Sequence, residues 1–168
     1  MTTWPKNNHG SDFSFTWSEY TLPQILAKQA ERLGSSRKAI RKKFLGIWET
    51  ATWEDYLAYT KKTALGLMAL GLKRGERVGI ITGNEPEWLF SELASQSLGA
   101  PSVNMFTTSV ASEISGALRQ IEASYVIVQD QEQVDKLVEF RQQLTFIRKI
   151  IYIDPTGMRS YLDDPWLI

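Results

Sequence analysis

The sequence contains 168 residues, a length that suits one compact domain with a core of its own. Its 19 basic and 19 acidic residues cancel, so no whole-molecule field favours nucleic acid or an anionic membrane. The lack of cysteine and the single His9 exclude disulfides and thiolate chemistry and leave few ligands for a metal, so we expect no metal site.

The N-terminal part of the chain predicts a leader, a helix and a hairpin. Residues 1–20 show no sustained period and are rich in turn formers, which indicates an irregular leader. A helix is predicted from Leu22 to Gly34. Residues 39–44 and 47–53 predict two antiparallel strands joined by a tight turn.

A second helix is predicted after the hairpin. Thr52 and Asp55 have the spacing of a capping box, and Gly71 is placed to end the helix. The side chains expected on its buried face are Tyr56, Leu57, Thr60, Ala64, Leu67 and Met68.

Residues 77–99 form the centre of the predicted fold. The run Val78–Ile81 is apolar without alternation, which is typical of a strand covered on both faces. Gly83 breaks the run, and we expect it to adopt a backbone conformation that β-branched residues resist. Asn84 or Glu85 is expected to cap the next helix. The expected inward stripe of that helix is Leu89, Phe90, Leu93, Ala94, Ser97 and Leu98.

Three further apolar runs, at residues 101–105, 125–128 and 150–153, alternate with helical patterns. One of these helices is expected to be capped by Ser109, with Val110 facing inward, and the other to start at Asp130. The alternation predicts an α/β fold with a doubly wound, mainly parallel sheet and helices on both faces. The sequence after residue 157 predicts a polar tail that ends in an exposed apolar segment, residues 166–168.

Ligands of such sheets bind at the carboxyl ends of the strands. The loops there supply Asn84, Asn104, Phe106 and Thr107 as candidate pocket residues. No dinucleotide fingerprint, phosphate loop or nucleophile elbow occurs in the sequence. We therefore predict no catalytic or cofactor-binding residue within this stretch.

Several short motifs, in this order, resemble the N-terminal region of AMP-forming acyl-CoA synthetases. They are Leu45-Gly46-Ile47-Trp48, Thr52-Trp53, Gly71-Leu72 with Gly75-Glu76-Arg77-Val78, Asn84-Glu85-Pro86-Glu87-Trp88 and Leu98-Gly99-Ala100. Residues 129–137, 150–157 and 163–165 are similar to the long-chain fatty acyl-CoA ligase branch. The resemblance covers residues 21–168.

The resemblance implies a ligase that activates a fatty acid with ATP to an acyl-adenylate and transfers the acyl group to coenzyme A. ATP, Mg²⁺ and coenzyme A are implied for the parent enzyme and none for this stretch, because the family's phosphate loop and C-terminal lid are missing. Residues 21–168 would then form one αβ lobe of the large N-terminal domain, an inactive scaffold and part of the acyl-pocket wall. Its partners would be the other domains of the parent synthetase and the fatty acid.

Two other functions stay open at this stage. The chain could be a stand-alone flavodoxin-like module for a small ligand, or a non-catalytic partner that docks on a full-length ligase. A cytoplasmic location is expected, with peripheral membrane association of the parent. The sequence has no run near the roughly 18 apolar residues of a membrane span. We also expect the isolated lobe to form a homodimer through apolar surface that other lobes would cover.

Overall fold

A computed structural model describes residues 19–168, so most of the predicted leader, including His9, lies outside the described residues. The helices and strands are α1 Leu22–Leu33, β1 Lys38–Phe44, β2 Ile47–Thr52, α2 Trp53–Ala69, β3 Val78–Ile81, α3 Pro86–Ser97, β4 Ser102–Met105, α4 Ala111–Ile121, β5 Tyr125–Val128, α5 Gln131–Glu139 and β6 Lys149–Tyr152. Short 3₁₀ turns occupy Gly34–Ser36, Arg141–Gln143 and Met158–Tyr161.

Strands β3 to β6 form one parallel sheet in the order β4-β3-β5-β6. Strands β1 and β2 form a separate antiparallel hairpin. The predicted fold class, a doubly wound parallel sheet with a small hairpin, is confirmed.

The strand order determines which face each helix covers. The chain steps from β3 outward to β4, then returns past β3 to β5 and β6. Right-handed crossovers place α3 on one face of the sheet and α4 and α5 on the other, because the direction of travel reverses. Helices α1 and α2 pack with α3. Both faces of the sheet therefore carry helices, although α2 and α3 leave part of β5 and β6 uncovered.

The core follows the alternation of the central strands. Val78 and Ile80 lie in the cluster under α2 and α3, whereas Ile81 joins the cluster under α4 and α5. All three side chains are fully buried. Burial on both faces explains why these strands read as continuous apolar runs.

Two helix starts use the predicted chemistry. At α2 the Thr52 hydroxyl accepts the Asp55 N–H at 3.1 Å, and the Asp55 carboxylate accepts the Thr52 N–H at 2.9 Å. The hydrogen bond from the Thr52 N–H, together with one from the Thr52 hydroxyl at 2.7 Å, lowers the pKa of the Asp55 carboxyl. At α5 the Asp130 carboxylate accepts the Gln133 N–H at 3.3 Å. Both predictions are confirmed.

The C-terminal segment differs from its prediction. The Ile150 N–H donates to the Trp166 carbonyl at 2.8 Å, and the Ile168 N–H donates to the Ile150 carbonyl at 3.0 Å. Trp166 and Leu167 are each only 8% exposed. The expectation of an exposed apolar tail is therefore wrong for Trp166 and Leu167, because pairing with the outer edge of β6 satisfies the backbone and buries these side chains. Ile168 is 47% exposed, as expected.

An ion pair fixes this segment to the body. Arg141 donates to both carboxylate oxygens of Asp164, at 2.6 and 2.9 Å. The Arg141 hydrogen bonds lower the pKa of Asp164 below its ordinary value of 3.8. Because the folded state favours the charged carboxylate, the contribution to stability is present above that ordinary value and is lost as the pH falls through the lowered pKa.

Other local predictions were wrong in detail. Met68 and Val110 are 54% and 57% exposed, and Ser97 is also exposed. Glu85, one of the two residues predicted to cap α3, does occupy its N-cap but makes no side-chain capping hydrogen bond. Val110, not Ser109, occupies the N-cap of α4. These residues lie at the ends or margins of helical stripes, where one position of rotation moves a side chain from core to solvent.

Gly79 provides a sharp test of packing between the sheet and α4. A Cβ at this position would lie 2.6 Å from Leu118 Cδ2 and 3.2 Å from Met105 Cε. We expect Gly79→Ala to lower the free energy of unfolding by about 1–3 kcal/mol through overpacking. Chemical denaturation measures this change.

Gly116→Ala in α4 is the matched control, because a Cβ there has nothing within 4 Å. It should be neutral or stabilise the protein by roughly 0.5–1 kcal/mol through helix propensity. Equal stability of the two variants would contradict the close approach at Gly79.

Candidate functional site

The topological switch point lies between β3 and β5, where the strand order reverses. The loops that follow these strands contain Gly83 and Gln129. The Gly83 N–H donates to Gln129 Oε1 at 2.7 Å, so this side chain bridges the two loops. In open parallel sheets the crevice at this point is the usual ligand site. Here Gln129 occupies its inner end.

Gly83 does not have the backbone conformation expected from the sequence. Its φ is not positive, and a Cβ at this position would lie 3.2 Å from Gln129 Oε1. The expectation that the Gly83 backbone itself resists β-branched residues therefore has no support from a positive φ. The requirement at this position is space for the amide bridge to Gln129.

The four candidate pocket residues are at the predicted edge but do not meet in one place. Asn84 is exposed and lines a cleft of about 470 Å³ beside the hairpin. The Asn104 amide donates to Glu92 Oε1 of α3 at 3.4 Å. The Thr107 carbonyl accepts from Lys136 of α5, on the opposite face of the sheet, at 2.6 Å. Their role in a pocket stays a prediction.

Phe106, the fourth candidate, is 80% exposed at the end of β4. Since β4 is the edge strand of the sheet, this ring projects from the margin and not into the switch point. It contributes an apolar surface at the edge.

The polar groups at this edge do not fit a triphosphate. The Lys136 ammonium contacts Glu132 at 2.9 Å in addition to the Thr107 carbonyl, and its hydrogen bond lowers the pKa of Glu132. Lys42 is paired with Glu85 at 2.6 Å, and this hydrogen bond raises the pKa of Lys42. Carboxylates of the protein thus engage both cations, and neither ammonium is left to neutralise a triphosphate.

Sequence reasoning missed an apolar groove that lies between α2, α3 and the adjacent face of β5 and β6. Its volume is about 260 Å³. The apolar groove is defined by Leu67, Leu70, Phe90, Ile127, Ile151 and Ile153. The crossovers α4 and α5 lie on the other face, so only α2 and α3 border it. The groove could have been predicted from the order of the strands in the sheet. The alternation of apolar runs and helices along the sequence does not give that order.

Within residues 19–168, no group of three or more His, Asp or Glu side chains is close enough to hold a metal ion. None of the helices in this described range has both the length and the apolar character needed to cross a membrane.

Residues 26–166 match the family model described as AMP-binding enzyme. The match covers most of the chain, and the chain belongs to the AMP-binding enzyme family.

The curated relatives include the long-chain-fatty-acid–CoA ligase ACSBG2 of Mus musculus, which is 30% identical over 118 residues, 70% of this chain and 18% of that protein. The long-chain-fatty-acid–CoA ligase heimdall of Drosophila melanogaster is 27% identical over 147 residues, 85% of this chain and 21% of that protein. The chain therefore spans about a fifth of the length of the relatives it matches.

Solved structures show the same fold. The anthranilate CoA ligase AuaEII in complex with anthranoyl-AMP has 26% identity and a TM-score of 0.67, over 83% of this chain and 27% of that one. The luciferase-like enzyme of Zophobas morio has a TM-score of 0.74 over 88% of this chain and 34% of that one. At 18% identity it supports the fold alone.

The amide bridge at the switch point can be tested by replacing Gln129 with methionine. The change keeps the length of the side chain but removes the acceptor of the Gly83 N–H. We expect a loss of about 1–2 kcal/mol in stability, because this partly buried donor would lack a partner. Faster hydrogen exchange at the Gly83 amide should accompany the loss.

Gln120→Met is the control, since Gln120 is exposed at the end of α4. This variant should leave both the stability and the hydrogen exchange of the Gly83 amide unchanged. Identical melting curves for the Gln129→Met variant and the original chain would count against the bridge.

Proposed function

We propose that this chain is part of an AMP-forming long-chain fatty acid–CoA ligase. Such an enzyme activates a fatty acid with ATP to an acyl-adenylate and then transfers the acyl group to coenzyme A. The observation that carries the proposal is the similarity to several curated long-chain-fatty-acid–CoA ligases within a family match over residues 26–166. The anthranoyl-AMP complex of a structural relative supports adenylate chemistry.

Within that enzyme, this lobe acts as a scaffold and as part of the acyl-pocket wall. The apolar groove supports this role, since Ile127, Ile151 and Ile153 form an apolar wall open on one side. ATP, Mg²⁺ and coenzyme A would be bound by other parts of the parent, because the carboxylates and engaged lysines at the switch point do not suit a triphosphate. A cytoplasmic location belongs to the same proposal and is supported by the lack of cysteine.

The stand-alone flavodoxin-like module is the second candidate. The switch-point geometry is compatible with it, but the family match along nearly the whole chain favours the ligase. The two can be separated at the level of the gene, since a ligase requires an open reading frame that continues past codon 168 into a Ser/Thr/Gly-rich loop ending in lysine.

The activity prediction compares two proteins. The product of the entire coding sequence should release pyrophosphate and form acyl-CoA with a long-chain acid, ATP, Mg²⁺ and coenzyme A. The 168-residue chain should release no pyrophosphate, because within residues 19–168 the lysines at the carboxyl edge of the sheet are already paired with carboxylates and do not suit a triphosphate. Short-chain acids provide the specificity control. Pyrophosphate release by the 168-residue chain, or an inactive whole product, would contradict the proposal.

A homodimer of the isolated chain remains a proposal, now placed at the apolar groove and not at the tail. Sedimentation over a hundredfold concentration range should show reversible association, since pairing two grooves removes apolar surface from water. Ile153→Ser should weaken the association, whereas Leu162→Ser, at an exposed residue outside the groove, should not. A monomer at every concentration would refute this placement.

A further inference from the structure

The tip of the β1–β2 hairpin carries a dense exposed apolar surface. Twelve large apolar side chains are prominently exposed within residues 19–168, and four of them lie among the five residues 44–48. We define the hairpin tip as Phe44, Leu45, Ile47 and Trp48, which are 53%, 85%, 72% and 53% exposed. Single exposed apolar residues are ordinary, but four at one projection indicate an interaction surface.

The turn itself conflicts with local preference. Leu45 and Gly46 join the strands, with φ values of 47° and 85°. Positive φ at both central positions is the pattern of a type I′ turn, which favours Asn-Gly. Leucine is disfavoured in this conformation and gains no burial here. Neither the turn geometry nor burial in the core explains why residue 45 is a leucine. Conflicts between a residue type and its local structure occur at functional positions.

Cationic side chains surround the base of the tip. The range 37–48 contains five basic residues and no acidic one, although the whole chain is neutral. The Arg41 guanidinium lies 4.4 Å from the Trp48 ring centroid, and the Lys43 ammonium lies 5.9 Å from it. Lys42 is offset by Glu85 and faces Glu49 across the hairpin. Arg41 and Lys43 therefore remain to provide positive charge beside Trp48.

The spacing of these groups suits a lipid surface. A strand rises about 3.3 Å per residue, so Arg41 lies about 10 Å along the strand behind Phe44. Interfacial segments bury their apolar face to about 5–10 Å, which would put Arg41 at the level of the headgroups. Lys43 pairs with Trp48 nearer the tip, and its long side chain can extend its ammonium toward the same level. Tryptophan is well suited to that boundary because its ring is apolar with one polar N–H.

We propose that the hairpin tip docks on an anionic lipid surface, with Leu45, Ile47 and Trp48 inserted and Arg41 and Lys43 at the phosphates. The charge complementarity selects an anionic bilayer over an apolar protein groove as the occupant. This inference goes beyond ligase chemistry and does not depend on it. Failure of lipid binding would leave the activity proposal intact.

The test is co-sedimentation of the 168-residue chain with vesicles of phosphatidylcholine alone or with about 30% phosphatidylserine. We expect clear binding to the anionic vesicles only. Arg41→Gln with Lys43→Gln should lower the partition coefficient by roughly 25-fold, at about fivefold for each cation. High salt should lower it in the original chain as well.

Leu45→Asn with Ile47→Ser tests insertion. Asparagine tolerates a positive φ, so this variant should not destabilise the turn or lower the melting temperature. Because it removes apolar surface, the partition coefficient should drop at least about tenfold. Leu65→Ser with Leu162→Ser is the matched control, because these residues are 64% and 73% exposed elsewhere. It should bind as the original chain does.

Depth is read from tryptophan fluorescence with brominated lipids. Quenching in the original chain that is lost in Trp48→Phe would support insertion of this ring. No binding to anionic vesicles would overturn the proposal, as would equal binding of the tip variant. Loss of self-association in the tip variant without any lipid binding would assign the tip to a second copy of the chain, which also overturns it.

Discussion

The structure depends on burying β3 from both sides. Strand Val78–Ile81 has no polar face, so helices must cover it above and below. The reversal of strand order after β4 achieves this, because right-handed crossovers then deliver α3 to one face and α4 to the other. Gly79 lets α4 approach closely, since its missing side chain leaves room for Leu118. The rest of the fold is arranged around this contact.

The same reversal of strand order creates both the switch point and the apolar groove. It places the switch point between β3 and β5, where the Gln129 amide joins the two loops. It also sends α4 and α5 to one face, so the other face of β5 and β6 stays open as the apolar groove. A single topological choice therefore determines which parts of the sheet are covered by helices and which part stays open as an apolar surface.

The sequence predicted elements well where the local signal is redundant. The Thr52–Asp55 capping box and the runs at β3 and β5 each combine pattern with turn chemistry, and the structure has them as expected. It predicted poorly what depends on distant pairing. Trp166 is buried because its segment pairs with β6, a contact that no local period encodes. The split of Asn104 and Thr107 between two faces likewise required the strand order and helix positions.

Residues that depart from local preference are informative, because folding of this chain alone does not explain them. At the Thr52–Asp55 capping box and in β3 and β5, capping, burial and strand pattern agree, so these residues are explained by folding alone. Leu45 disagrees with its turn, and Ile151 and Ile153 are apolar but only half-buried. Folding of this chain does not account for these three residues. They mark two separate surfaces, one projecting and basic at its base, the other concave and apolar, and this difference in shape and charge requires different occupants.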